Sequence, residues 1–225
     1  ILNCVLWEET LNRISGIATR AGNIIKIITA SYNEKYNNCL LNNFEVLTQA
    51  SLGLDKQQQE YYYSRIVEEV ENFSDEKLKN FVLDILSKNK EKLLITPAAK
   101  QMHHNYIGGL IIHTFEVVEF AKVVLSKVRK QLNKDEVIAA SILHDIGKIF
   151  EYEIDLESGL IEYNERFRKD WITHSQYGYT LCMSQGFLNI AKMIASHHGR
   201  ADWGAMIDLG EKDLENYYYI VHHID

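Results

Sequence analysis

His144 and Asp145 are neighbours in the run Leu143-His144-Asp145-Ile146-Gly147-Lys148 and offer an imidazole nitrogen beside a carboxylate oxygen. That donor pair suits a borderline divalent metal. Consecutive helical side chains diverge by about 100°, so both reach one ion only if it sits off a helix end or between helices. Taken alone, a His-Asp dipeptide is more often a surface pair at a helix C-terminus. It does not stand alone here. His113 follows Gly108-Gly109, a pair that lets backbones pack closely or take unusual dihedrals. Asp225 ends the run Val221-His222-His223-Ile224-Asp225. His113, His144, Asp145 and Asp225 bring two imidazoles and two carboxylates from three helices, enough for one octahedral ion with water in its open positions.

His174 and the adjacent His197 and His198 add imidazoles from two further helices. A second ion sharing Asp145, held by His174 with His197 or His198, would complete a two-metal site. Two ions about 3.5–4 Å apart clamp a phosphate for in-line displacement. Any one of these histidines could equally be a satisfied core residue; the placement of all of them near helix ends argues against that for the set. His222 and His223, within a turn of Asp225, are expected to pack or to orient a ligand rather than to ligate.

The elements that must position these groups are mostly helical. From Glu60 onward apolar residues recur with the helical period: Tyr63, Ile66, Val67 and Val70 share a face, and Leu78, Phe81, Val82, Ile85 and Leu86 form a second stripe. Ser74 is the expected cap of that second helix, with Asp75 and Glu76 in its first turn. Further helices are predicted over 107–131, 135–146, 170–184, 187–197 and 212–225, with Asn133 capping the second of these and Gly147 stopping it. Gly159 falls in a short non-helical connection read as a hairpin. Residues 1–50 differ: after a Gly22-Asn23 turn, alternating runs at 24–29 and 39–47 are separated by turn-like Ser31-Tyr32-Asn33 and Tyr36-Asn37-Asn38. The predicted fold is mainly α, an all-α domain over 60–225 preceded by a partial β-barrel over 1–50 and a polar, glutamine-rich linker over 51–59.

Composition sets the remaining bounds. Nine histidines with one proline on a helical scaffold fit a transition-metal site, and a hydrophobic fraction of 46% supports a core. A net charge of −7 argues against broad, nonspecific affinity for nucleic acid, and leaves local cations or bound metal to reverse the sign at a pocket. Cys4, Cys39 and Cys182 lack metal-ligand or redox spacing, which points to a reducing compartment. With no secretory signal and no apolar run of membrane-spanning length, the expectation is a cytoplasmic protein without a membrane partner. The chain begins at Ile1 rather than Met and ends in a helix-like run, so both ends read as cut.

The ordered set Gly108-Gly109-Leu110-Ile111-Ile112-His113-Thr114, His144 through Lys148, Thr173-His174, Ser196-His197-His198-Gly199 and Ile224-Asp225, with Pro97-Ala98-Ala99 and His103-His104-Asn105-Tyr106 ahead of it, resembles the HD superfamily of metal-dependent phosphohydrolases. More closely, it is similar to the YhaM-type 3′→5′ exoribonucleases, in which an OB-fold precedes the HD domain. The resemblance covers 60–225 well and 1–50 more thinly, where Leu6-Trp7-Glu8-Glu9-Thr10 and the runs 22–29 and 40–47 look like later OB strands. It implies that His113, His144, Asp145 and Asp225 hold a first metal, and that His174 and His197 hold a second, with His198 joining them or contacting substrate. It also implies that Lys148 approaches the scissile phosphate, where its charge would offset that on the phosphoryl oxygens. Asp145 and Lys148 are therefore the candidate catalytic residues.

The same resemblance implies two divalent ions, manganese first, with iron, cobalt, nickel, zinc or magnesium as alternatives. It implies single-stranded RNA or DNA as substrate and makes a homo-oligomer plausible. His103 and His104 read as substrate-rim residues or as donors that orient a ligand, with a cap or loop role open. In a loop resembling the family's loop beside the metals, Arg200 could meet a phosphate and Trp203 could stack a base, or Trp203 could simply anchor the loop. Trp7, Tyr32 and Tyr36 are either stacking residues or barrel core, core being the commoner role. Two other readings compete: an HD hydrolase of a small nucleotide or cyclic dinucleotide, whose Gly-Tyr-Pro motif is absent here, and a nucleic-acid-binding module with a silent HD domain.

Overall fold

The computed structural model describes residues 4–5, 24–36, 38–48, 53–100, 104–128, 132–156, 161–170, 173–209 and 220–225. Contacts divide the chain into two compact units, one built around residues 1–52 and the other comprising 53–155 with 160–225. In the first, β1 (Cys4–Val5), β2 (Ile24–Asn33) and β3 (Asn38–Thr48) form a sheet in the order β1-β3-β2. β2 and β3 are antiparallel, and β1 runs parallel to β3. Ser31-Tyr32-Asn33, expected to turn, instead finishes β2, with Ser31 opposite Leu40 and Tyr32 opposite Cys39. A partner strand outweighs the turn preference of serine and asparagine. Tyr32 and Tyr36 are exposed rather than core. Among the described residues this sheet does not close into a barrel; Trp7 and the 6–10 run lie outside the described residues.

The second unit begins with α1 (Lys56–Glu71), which starts inside the stretch expected to be linker. The Asp55 carboxylate accepts from Gln58 N at 2.8 Å while Gln58 Oε1 accepts from Asp55 N at 3.0 Å. This reciprocal cap satisfies two otherwise orphaned amides and makes residues 56–59 helical. α2 (Glu76–Lys88) is capped by Asp75 rather than Ser74. Ser74 instead donates through its amide and its hydroxyl to Asp135 Oδ2, 2.7 Å in each case, tying the α2 entry to a distant helix.

Then follow α3 (Lys90–Ile95), α4 (Gly109–Lys127), α5 (Lys134–Leu143) and α6 (Lys148–Glu151). β4 (Tyr152–Ile154) pairs antiparallel with β5 (Ile161–Tyr163), and residues 157–160 of the expected Gly159 connection lie outside the described residues. The chain continues through α7 (Glu165–Lys169), α8 (His174–Ser184), α9 (Leu188–Ser196), a 3-10 turn at Ala201–Trp203 and α10 (Ile220–Ile224).

α5 is the centre of this unit. Asn133 caps it, accepting from Glu136 N, and every residue from Val137 to Leu143 is buried. A helix apolar on all sides belongs inside a core, and α5 packs against α4, α9, α1 and α2. Truncating a fully buried leucine such as Leu143 costs about 2–5 kcal/mol, so the end of α5 is held in place by its own packing. No helix among the described residues is long and apolar enough to cross a membrane.

Candidate metal centre

Two helices end in the same place. His144 is the C-cap of α5 and His197 the C-cap of α9, and their rings lie 5.2 Å apart. The last carbonyls of a helix lack intrahelical partners, and each histidine takes one: His144 Nδ1 donates to Ser141 O at 2.8 Å, His197 Nδ1 to Ile194 O at 2.6 Å. A carbonyl only accepts, so Nδ1 carries a proton and Nε2 of the neutral ring presents a lone pair. The partial negative charge at both helix ends also favours a cation there.

Around His144 the first cluster assembles. His113, on the buried face of α4, places Nε2 at 3.2 Å from His144 Nε2 and 3.0 Å from Asp225 Oδ1. His144 Nε2 stands 3.5 Å from the same carboxylate oxygen. Around His197 the second cluster assembles. His174, the first residue of α8, brings Nε2 to 3.0 Å from His198 Nε2, and His198 Nδ1 donates to Trp203 O at 2.7 Å. In each triad, one ligand atom from every residue lies within 4.8 Å of the others, a spacing that one metal ion can bridge.

Asp145 stands between them. Its Oδ2 is 3.5 Å from His113 Nε2 and 3.3 Å from His144 Nε2. Its Oδ1 is 3.4 Å from His174 Nε2 and 3.7 Å from His197 Nε2. One carboxylate thus turns one oxygen to each triad. Lys148 Nζ sits 2.5 Å from Oδ2. Asp145 Oδ1 and His197 Nε2 are buried and have no hydrogen-bond partner among the described residues. Leaving such groups unsatisfied costs about 1–3 kcal/mol each. A divalent cation between them would satisfy both, so the residues present fit a metal.

The two clusters hold protons differently. Burial pulls the His144 imidazole down, but Asp145 and then Asp225 outweigh it and raise it to about 10. His113 is also raised, because Asp145 and Asp225 overcome its burial. Burial opposes ionisation of Asp145 and Asp225 too; Lys148 and His144 hold Asp145 well below the usual carboxylate range, and His113 and His144 do so for Asp225. On the other side burial pushes His197 and His198 down, each reinforced by a neighbouring imidazole.

The profile of the HD domain matches residues 110–224, a little over half of the chain, and spans both clusters. The chain belongs to the HD-domain family. Its curated relatives include the 3′-5′ exoribonuclease YhaM of Oceanobacillus iheyensis, 26% identical over 190 residues that cover 80% of this chain and 56% of that protein. They also include the 3′-5′ exoribonuclease YhaM of Geobacillus sp. (strain WCH70), 31% identical over 150 residues that cover 63% of this chain and 43% of that protein. The chain therefore spans about half the length of the curated relatives it matches. No solved structure matches it.

Other residues singled out in the sequence lie around this HD centre. His103 is outside the described residues. His104 takes a left-handed backbone (φ 55°), reaches Glu116 Oε2 at 3.3 Å and packs its ring 5.9 Å from His113. It walls the first cluster. The Gly108-Gly109 pair does what the sequence suggested: Gly108 has φ 80°, and a Cβ on Gly109 would stand 1.9 Å from His104 O. Trp203 is 61% exposed, so it does not anchor its loop, and Arg200 lies over its ring while pairing with Asp202 at 3.0 Å. His222 Nδ1 donates to His197 O at 2.7 Å and so braces the backbone that carries His197.

Two features went unread in the sequence. Glu151, at the end of α6, accepts from His174 Nδ1 at 2.6 Å and so turns Nε2 inward. This pair is separated by the β4–β5 hairpin and α7, and nothing in local spacing signals it. Gly147, expected as a helix stop, meets the backbone of His174 so closely that a Cβ would lie 2.4 Å from His174 Cα.

Proposed function

We propose that this chain carries the catalytic part of a metal-dependent 3′→5′ exoribonuclease that releases nucleoside 5′-monophosphates from single-stranded RNA. The observation that carries the metal-dependent reading is Asp145, with one oxygen toward the His113–His144–Asp225 triad and the other toward His174–His197–His198. RNA as substrate is supported by the similarity to proteins named 3′-5′ exoribonucleases.

In this reading His113, His144, Asp145 and Asp225 hold one divalent ion, and His174, His197, His198 and Asp145 hold another, manganese being the first choice. Such ions lower the pKa of a bound water and neutralise charge on phosphoryl oxygens. The chain's own groups do the rest. Ser141 O, Ile194 O, Trp203 O and Glu151 fix the imidazole tautomers, so four Nε2 atoms face inward without reorganising. Lys148, drawn to Asp145, holds a positive charge at the place where a scissile phosphate meets the cluster. Exposed Trp203 offers a stacking surface for a base, with Arg200 beside it. The β1–β3 sheet belongs, on this view, to the end of an OB-like domain that tracks the strand, in a cytoplasmic protein.

The test is direct. Purified protein with Mn²⁺ should shorten 5′-labelled single-stranded RNA from its 3′ end and lose that activity with a chelator. Turnover of cyclic dinucleotides without any of RNA would overturn the substrate assignment, and a protein that binds no metal would overturn the catalytic one.

A further inference from the structure

We propose that the tyrosine face of the β4–β5 hairpin, with Lys100 and the basic residues of α7, is the track that binds the phosphates of an RNA strand leading into the metal centre. This rests on the ribonuclease reading above. Side chains alternate across a strand, and the in-register pairs divide accordingly: Tyr152 opposite Tyr163 on one face, Glu153 opposite Glu162 on the other. The two tyrosine rings lie 5.4 Å apart. Lys100 Nζ stands 5.1 Å and Arg168 Cζ 4.5 Å from the centre of the Tyr163 ring. α7 adds Arg166 and Lys169, both exposed, between Glu165 and Asp170. The hairpin thus segregates its charge, with cations gathered about Tyr163 and the paired strand glutamates turned away.

These cations are gathered in one place, whereas the other cations without a carboxylate partner among the described residues, Lys35, Lys56, Lys77, Lys92, Lys127 and Lys134, are spread over five helices and the β2–β3 turn. Arg65, Lys79, Lys88, Lys90 and Lys122 each pair with a carboxylate. Among the described residues Lys100, Arg166, Arg168 and Lys169 pair with none, although the chain carries a net charge of −7. Cations left without counter-charge in an acidic protein suit an external polyanion. Their place suits a strand bound for the metals. Asn164 N, directly after Tyr163, donates to Glu151 O at 2.8 Å, and the Glu151 carboxylate holds His174. Tyr152 follows Glu151 directly. Lys100 and Arg168 would take phosphates, and Tyr163 would offer an edge or face to a base or ribose as it passes.

Kinetics on the Mn²⁺-loaded protein test this, using a single-stranded RNA dodecamer and a dinucleotide across a series of salt concentrations. For Lys100→Gln/Arg168→Gln, KM for the dodecamer should rise about tenfold, and the slope of log KM against log salt should fall by about 1.4, two phosphate contacts on a single strand. The advantage of dodecamer over dinucleotide should shrink in step. Arg166→Gln/Lys169→Gln, at exposed positions, should move both readouts the same way. Lys127→Gln/Lys134→Gln, removing two cations elsewhere, should move neither. If wild type degrades RNA and both track variants keep its salt slope and length preference, the track is wrong and the ribonuclease reading stands. If wild type hydrolyses bis(p-nitrophenyl) phosphate but no RNA, the ribonuclease reading fails and the track falls with it.

Discussion

The two triads are built from similar parts and held in opposite states. His113 and His144 share their space with Asp225 and one oxygen of Asp145, so carboxylates favour the protonated form of both imidazoles and raise His144 to about 10. His174, His197 and His198 form an all-imidazole set in which burial keeps His197 and His198 neutral. A histidine must be neutral to bind metal. His197 and His198 therefore offer lone pairs already in place, whereas His144 must give up a proton as an ion enters. The first, with its oxygens, is the harder ligand set; the second is the softer. One carboxylate links both.

Removing that link has the largest expected effect. Asp145→Asn keeps the shape and deletes the shared charge, and should cost roughly a thousandfold or more in phosphodiester hydrolysis. Metal analysis should find both ions lost; retention of either at wild-type affinity would break the picture of two halves around one carboxylate. Next come the paired substitutions His144→Ala and His174→Ala. Each should lower activity by about a hundredfold while leaving the opposite half able to bind, so metal per chain falls by half in each and to none in the double variant.

A smaller effect sharpens the contrast. Glu151→Gln leaves all ligands intact but loosens His174, and should weaken metal binding about 10–100-fold at the all-imidazole half alone. Spectroscopy of Co²⁺ bound to the His144→Ala background, where only that half remains, would resolve it. The gentlest probe is pH. His144 at about 10 is protonated at neutrality, so metal entering the first half should release a proton, and its affinity should rise about tenfold per pH unit toward pH 10. The second half, with His197 and His198 below their ordinary value of 6.5, should change little above neutrality. Proton release measured in weak buffer with the two single-histidine variants separates the halves. Equal release from both would remove the contrast.

The sequence made the candidate ligand set legible because its members carry distinctive chemistry and most sit where elements end. His144 and His197 follow apolar helical runs and a glycine pair precedes His113, whereas the Thr173 cap that starts α8 at His174 fell inside the helix expected over 170–184. The helices were legible for the same reason, since a stretch such as Val137 to Leu143, apolar but for Ser141, has few places to go. What stayed hidden depends on distance through space. Glu151 reaches His174 across a hairpin, and Ser74 donates its amide and hydroxyl to Asp135, remote in sequence, while Asp75 caps α2. The linker expectation at 56–59 gave way to a reciprocal Asp55–Gln58 cap whose pattern was present but unread. Ser31 to Asn33 finishes β2 because β3 lies alongside it.

Gly147 sets a tolerance for the whole arrangement. It lies in the turn that carries Asp145, and the backbone of His174 comes down on it with no room for one more carbon. The missing side chain works as a gauge block: it fixes how far α8 stands from the end of α5, and so how far one triad stands from the other. Gly147→Ala would act as a wedge, opening that gap without touching a ligand. The spacing of the two triads is thus governed by a residue that belongs to neither.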